Sequence, residues 1–461
     1  MRSTPFDIAA DLDTPVSAFR KLAPFRPRYL LESVEGGERV GRYSFIGFGE
    51  AMEVRLDGGE LSIDGVRSAV PETRDGLLDV LRSTLARAPR PHAGEARVPF
   101  EGGLVGAVGF ELARRFVRVR SPRLQAPSPE LVLLGTRSVL VFDHAARRAA
   151  VLHDGDDLER ASLRRDVIAA LRGGLPAIRT RTRIGPATQS MSDTEMLGAI
   201  ERAQGHIRAG DVFQLVLSLR HEGEAEIDPF EAYRALRLTN PSPYMFFYDF
   251  GDSQFAGSSP EALVRLEGRV AHLRPIAGTR PRGDTVIEDD ALARELLADD
   301  KEHAEHVMLV DLARNDVGRV AEIGSVAVEP YRTIERYSHV MHTVSGVKGT
   351  LAAGKDAFDL FAAAFPAGTV SGAPKPRALE LIDAIEPCAR GFYGGTVGYF
   401  GHGDVSDHAL AIRSISFANG RYAYQAGAGI VEASRPRAEI DEMFAKAAVM
   451  LGALRLAEEG L

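Results

Sequence analysis

Two segments far apart in the chain each set a pair of glutamates on a helix, and any fold for this sequence must find a place for that charge. In the first, Asp299 or Asp300 caps a helix expected from Lys301 to about Val317. Glu302 and Glu305 are three residues apart and so neighbours on one face. Seven residues on, at nearly the same angular positions, stand Leu309 and Leu312, so the acids extend an apolar stripe directed at the core. A carboxylate there is costly unless a cation, a proton or several hydrogen bonds neutralise it. The last helix repeats the spacing with Glu439 and Glu442, and Lys446 follows four residues later. Ile440, Phe444, Ala447 and Leu451 supply its core side. With no histidine pair at ligand spacing, two such acid pairs suit a hard, oxygen-seeking ion, best Mg²⁺. Each pair alone also fits a surface feature or a salt bridge, and spacing does not bring the pairs together.

At 461 residues the chain is far longer than one typical domain, so two domains or one large interleaved core are expected. The formal charge of −8 argues against nucleic acid or an anionic membrane as partner. No apolar run reaches membrane-spanning length, and the first residues carry neither the basic flank nor the apolar segment of a signal peptide, so a cytoplasmic location is expected. The one cysteine, Cys388, excludes an intramolecular disulfide and a cysteine zinc site. It lies outside any nucleophile-elbow pattern, which favours a structural role and leaves the chain without a glutaminase of its own.

Residues 1 to about 150 read as β-rich, with strands at Val105 to Phe110 and Leu131 to Phe142, and residues 156–175 read as a helix. The run 179–186 lacks apolar periodicity. It divides the chain into an N-terminal domain, 1–178, a linker, 179–193, and a C-terminal domain, 194–461. Ser192 and Glu195 form a capping box that opens a helix with Met196, Leu197, Ile200 and Ile207 on one face, ended by Gly210. The strand expected next, Val212 to Leu219, carries Gln214 on one of two apolar faces, where the amide needs partners from the protein or from a ligand. Farther on, a strand from Val270 to Arg274 runs into Pro275-Ile276-Ala277-Gly278-Thr279-Arg280-Pro281. This segment reads as a turn whose open amides and threonine hydroxyl admit a carboxylate or carbonyl.

Taken in order, several segments resemble the chorismate-binding domain of anthranilate synthase component I. They are Gly210-Asp211-Val212-Phe213-Gln214, Ser259-Pro260-Glu261, the 275–279 segment, Lys301 to His306 and Met308 to Val320. Tyr337 to His342, Gly368 to Arg377, Tyr393 to Phe400, Ala411 to Ser414 and Ala426 to Gly429 complete the series. Ala277 matches the anthranilate synthase version of the 275–279 segment rather than the lysine of aminodeoxychorismate synthases. The resemblance implies an α+β fold of two large, mostly antiparallel sheets packed face to face with helices outside. It also assigns roles. Glu305 and Glu442 would hold Mg²⁺ directly, and Glu302 and Glu439 through water. Arg413, Tyr393 and the amides of Gly427 and Gly429 would bind the enolpyruvyl carboxylate of chorismate. Gly278 and Thr279 would line its ring, and Lys446 would offset the acids. Glu261 corresponds to the general acid for the departing ring hydroxyl, a role that requires a protonated carboxyl. Gln214 stands where the water-using isochorismate and salicylate synthases carry a lysine base, and a neutral amide there fits ammonia as nucleophile. His342 resembles the histidine tied to pyruvate elimination.

The N-terminal third carries Leu31, Glu32 and Ser33, and Arg42, Tyr43 and Ser44. With Asn240, Pro241, Ser242, Pro243, Tyr244 and Met245 these resemble the tryptophan feedback site of the same family. A proline-fixed, serine-bearing backbone suits the polar end of an amino acid, and aromatic and methionine side chains suit an indole. The resemblance implies Mg²⁺-dependent conversion of chorismate and ammonia to anthranilate and pyruvate. The ammonia would come from glutamine through a separate amidotransferase subunit in a hetero-oligomer, and L-tryptophan would inhibit. A 2-amino-2-deoxyisochorismate synthase, another chorismate-utilising enzyme, and an inactive tryptophan- or chorismate-binding sensor are the alternatives. Relatives often have asparagine where Ala445 precedes Lys446.

Overall fold

The computed structural model of the chain describes residues 6–33, 41–93, 98–120, 126, 128–177, 182–336 and 340–461. Among these, 22 strands form one continuous antiparallel hydrogen-bonded array, and three more form a separate small sheet. The array folds into two layers. One runs through Gln214–Glu226, Arg421–Ile430, Ser414–Ala418, Ser253–Ser259, Tyr244–Asp249 and Pro27–Glu32. The other runs through Gly103–Val108, Thr396–Gly401, Val405–Leu410, Ala262–Glu267, Val270–Leu273 and Val347–Thr350.

Two long strands, Tyr43–Asp57 and Leu131–Asp143, belong to both layers. Ser44 to Phe48 pair with the first layer, whereas Leu131 to Leu134 pair with the second. The crossing point is a bulge between Phe48 and Ala51, where Gly49 takes φ +83°. A bulge bends and twists its strand, and glycine occupies that conformation without a steric penalty.

Alternation along the second layer assigns its two faces. Val105, Ala107, Val132 and Leu134 face inward to Phe246, Tyr248 and Phe255 of the first layer, in one buried cluster. Leu104, Val108, Leu131 and Leu133 face outward into a cluster with residues of the helices Arg74–Arg87, Asp300–Gly318, Ala357–Ala364 and Lys375–Ile385. The outer face of the first layer is covered by Pro15–Lys21, Asp157–Leu171, Pro229–Thr239 and Pro436–Glu459. This is the expected α+β arrangement of two sheets with helices outside.

Three local expectations change. The helix at 156–175 is shorter, Asp157–Leu171, opened by a capping box of Asp156 and Glu159. The strand expected at 212–219 begins at Gln214 and runs to Glu226, leaving Phe213 73% exposed instead of aligned with Leu215. The segment 276–281 is a strand, not an open turn: Ile276–Pro281 pairs with Val340–Val344 through a bulge at Ala277 to Thr279. Within the expected linker, Arg183–Ile184 and Thr188–Gln189 pair with Gln214–Glu226, and residues 179–181 lie outside the described residues. Tyr337, Ser338 and His339 also lie outside them.

Candidate active site

The helix Asp300–Gly318 begins where Asp299 accepts hydrogen bonds from the amides of Lys301 and Glu302. Its buried side is His306, Leu309, Val310, Ala313, Asp316 and Val317, and Glu302 and Glu305, two turns and one turn before Leu309 on that side, are half-buried. Desolvation pushes the Glu305 carboxyl above its ordinary range, and negative charge on Glu302, Glu442 and Glu439 pushes it further. Both acid helices therefore reach one place. Two of these carboxylates already face bases: Glu442 lies 2.7 Å from Lys446 Nζ, and Glu302 3.6 Å from Arg280 Nη1. Among the described residues no three His, Cys, Asp or Glu side chains stand close enough to enclose an ion, so shared ligation requires rotation of these side chains. The donor set is all oxygen, and at Glu305 three like charges outweigh the opposing pull of Lys301, which fits a hard divalent cation.

Strand pairing delivers the opposite wall. Gln214–Glu226 pairs with Arg421–Ile430 so that Val216 faces Gly429 and Ser218 faces Gly427. A side chain on Gly429 would collide with the amide of buried Gln214, and one on Gly427 would stand 2.8 Å from the Tyr393 hydroxyl. Lys446 Nζ donates to the Gly427 carbonyl at 2.9 Å. Arg413 adopts φ +51°, its guanidinium near Tyr393 and Glu442, with no hydrogen-bonded or ion-paired partner for it among the described residues. Burial lowers its proton affinity, the mark of a cation held without a bonded counter-charge.

Glu261 closes the cleft. Enclosure pushes its carboxyl up to about 7, against a hydrogen bond from Thr369 Oγ1 at 2.8 Å and the charge of Lys446, which both pull it down. On the remaining side Gly278, at φ +68°, lies against Glu302: a Cβ there would stand 3.0 Å from Glu302 Oε2. His342 Nδ1 is 3.0 Å from both Thr279 Oγ1 and the Gly278 carbonyl. These contacts and charge interactions link Gln214, Glu261, Gly278, Thr279, Glu302, Glu305, His342, Tyr393, Arg413, Gly427, Gly429, Glu439, Glu442 and Lys446 into one neighbourhood of the fold.

The second set of candidates gathers elsewhere in the first layer. Glu32 pairs in register with Ser44 on one side and Met245 on the other, with Leu31 facing Phe246. The buried Glu32 carboxylate accepts from Tyr233 at 2.7 Å and from Arg237. Ser44 Oγ lies 2.7 Å from His144 Nε2, and Arg42 bonds Asp143 at 2.8 Å while covering the Tyr43 ring. Asn240 and Ser242 bond Ser258, Tyr244 bonds Asp407 at 3.2 Å, and Ser33 leads into 34–40, outside the described residues.

Sequence reasoning missed two features. Thr369 was visible only as a polar residue in a glycine-rich segment, with nothing to pair it with Glu261. Behind Tyr393, fully buried Arg390 bonds Glu386 and the carbonyls of Val216 and Val370, and its ring-facing side covers Phe110 and Tyr393. Only the four-residue spacing of Glu386 and Arg390 hinted at this, and Pro387 removes the helix that would make it meaningful.

No helix of the described residues is long and apolar enough to cross a membrane. A family model described as chorismate binding enzyme matches residues 26–452. The chain is 45% identical over 460 residues to anthranilate synthase component 1 of Thermus thermophilus, covering 98% of this chain and 97% of that one. It is 44% identical to the protein of the same name from Pseudomonas aeruginosa, covering 99% and 96%. The crystal structure of anthranilate synthase component I from Streptococcus pneumoniae superposes with a TM-score of 0.80 at 36% identity, over 89% of this chain and 92% of that one. The fold extends to the menaquinone-specific isochorismate synthase of Escherichia coli, with a TM-score of 0.70 at 20% identity over 96% and 91%. The chain belongs to the chorismate-binding enzymes and, among them, to the anthranilate synthase component 1 family.

Proposed function

We propose that the chain converts chorismate and ammonia to anthranilate, pyruvate and water, with Glu261 as acid and Arg413 as anchor. The observation that carries this reading is that both lie near the Glu442–Lys446 pair: a carboxyl that keeps its proton to about 7 within the field of Lys446, and a guanidinium near Glu442 with no bonded protein partner among the described residues. Arg413, the Tyr393 hydroxyl and the amides of Gly427 and Gly429 offer a fork of donors for the enolpyruvyl carboxylate. Mg²⁺, held by Glu305 and Glu442 with Glu302 and Glu439 behind, would supply positive charge for the ring carboxylate.

Glu261 gives its proton to the C4 hydroxyl as that group leaves as water. Ammonia bonds to C2, beside Gln214, whose neutral amide withdraws no proton from it. Loss of the C2 proton then breaks the C3–O bond and leaves the aromatic ring, and the departing enolpyruvate takes up a proton on its methylene carbon to become pyruvate. His342, held by Gly278 and Thr279, would serve that second step. Glutamine would deliver ammonia through a separate amidotransferase subunit, as similarity to anthranilate synthase component 1 implies. L-Tryptophan would bind beside Glu32, Ser44 and Met245 as a feedback inhibitor.

The test is incubation of the purified chain with chorismate, Mg²⁺ and an ammonium salt, followed by anthranilate fluorescence and product chromatography. Anthranilate with one equivalent of pyruvate is expected. Consumption of chorismate to a non-aromatic amine would replace this reading by an aminodeoxyisochorismate synthase.

A further inference from the structure

The strand Ser253–Ser259 lies between two others. On one edge it pairs with Tyr244–Asp249, setting Ser258 opposite Met245 and Ser259 opposite Tyr244. On the other it pairs with Ser414–Ala418, the strand that Arg413 immediately precedes. Its end leads within two residues to Glu261. One strand therefore touches the candidate amino-acid site, the substrate-carboxylate arginine and the acid.

Ser258 sits at the junction and is fully buried. Its hydroxyl accepts from Asn240 Nδ2 at 3.0 Å, donates to the Asn240 carbonyl and lies 2.9 Å from Ser242 Oγ. Its amide donates to the Arg413 carbonyl at 3.0 Å. Arg413 stands in the left-handed region, which a non-glycine residue keeps only where neighbours hold it. The surroundings leave little slack, because a side chain on neighbouring Gly257 would collide with the Phe246 ring. The hydroxyl has one proton and two acceptors in reach, the Asn240 carbonyl and Ser242 Oγ, so a change at the first leaves the second to take it.

We infer that Ser258 is a positioning residue that couples occupancy of the Asn240 to Met245 site by an aromatic amino acid to the placement of Arg413 and Glu261. This rests on the reading of that site as a tryptophan site. A ligand whose ammonium or carboxylate engages Asn240 or Ser242 redirects the Ser258 hydroxyl. The shift passes through one peptide to the carbonyl of Arg413 and along two residues to Glu261. Coupling of this kind is reciprocal, so chorismate must weaken tryptophan binding by the factor with which tryptophan weakens chorismate binding.

Calorimetric titration of tryptophan, with and without saturating chorismate and Mg²⁺ and in the absence of ammonia and glutamine, measures that factor. In the wild-type chain the two dissociation constants are expected to differ by at least about 5-fold. In Ser258→Ala the ratio should fall towards one, and Ser258→Thr, which keeps the hydroxyl, should restore it. If Ser258→Ala weakens both constants equally and preserves the ratio, Ser258 only binds or supports the ligand, and the coupling role is overturned. Should that variant not fold, Asn240→Ala removes the side-chain contact from Nδ2 to Ser258 Oγ, leaving the Asn240 carbonyl in place. The same collapse is expected there, and a preserved ratio has the same adverse meaning. A wild-type chain that binds no tryptophan overturns the tryptophan reading and the coupling with it.

Discussion

The cleft and the Glu32 to Met245 region are both lined by buried or half-buried charge, but they handle it in opposite ways. In the cleft Arg413 has no bonded counter-charge, Glu261 holds a proton because it is enclosed, and Glu305 is crowded by three other carboxylates. Around Glu32 each charge is matched: Tyr233 and Arg237 serve Glu32, Asp143 serves Arg42, and Ser258 serves Asn240. The first region is electrostatically unfinished without its ligands, whereas the second is complete and a ligand must exchange partners there. Substitutions in the cleft should therefore cost activity at little cost in stability. Substitutions around Glu32 should do the reverse.

The largest expected effect is in the cleft. Glu261→Gln removes the transferable proton, and kcat for anthranilate should fall by about 10²–10⁴-fold, the usual worth of general acid catalysis. The fold should survive, since an amide replaces a carboxyl that is already neutral; a variant with more than a tenth of wild-type kcat would remove Glu261 from the acid role. Next, Arg413→Ala should raise KM for chorismate by about 10–150-fold, the range of a hydrogen bond to a charged group. An unchanged KM in initial-rate measurements would take the enolpyruvyl carboxylate elsewhere.

Proton linkage sharpens the contrast. The Glu261 carboxyl titrates at about 7 in the folded chain, above the 4.5 of a free glutamate. Its stabilising contribution is complete below 4.5 and is lost as pH rises through about 7. The protonated form is also the active acid, so kcat/KM should decline on the alkaline side with a midpoint near 7, and Glu261→Gln should lack that limb. In the matched region, Glu32→Gln leaves the Arg237 guanidinium without its counter-charge. It should destabilise the fold by about 1–3 kcal/mol in denaturant melts while leaving kcat without tryptophan within about twofold. A large loss of kcat with unchanged stability would reverse the assignment of the two regions. The smallest effect expected is Ser33→Ala, which should move only the tryptophan inhibition curve; a curve that does not move would exclude Ser33 from that site.

What the sequence disclosed followed from locality. The capping box of Ser192 and Glu195, the helix it opens from Asp193 to Arg208 and the three-residue spacing of the acids depend on neighbours within one turn, and each is present where the pattern puts it. The motif residues of the cleft were legible through family resemblance, and their spacing alone did not bring them together. Long-range pairing was illegible. The 276–281 segment reads as a turn because its proline and glycine are local facts, while its strand partner at 340–344 lies some sixty residues away. The passage of Tyr43–Asp57 between layers depends on which strands flank each half, and Thr369 meets Glu261 only after both layers close. Phe213 alternates correctly with Leu215 but precedes the first strand residue, so alternation ceases to govern its burial.

The most direct measurement of the contrast is the melting temperature of Glu305→Gln against the wild-type chain without divalent cation, at pH 8. Removing one of four crowded carboxylates should raise the melting temperature, although anthranilate formation is lost. A lower melting temperature would mean that Glu305 is already well accommodated, and the cleft would not be the electrostatically unfinished region described above.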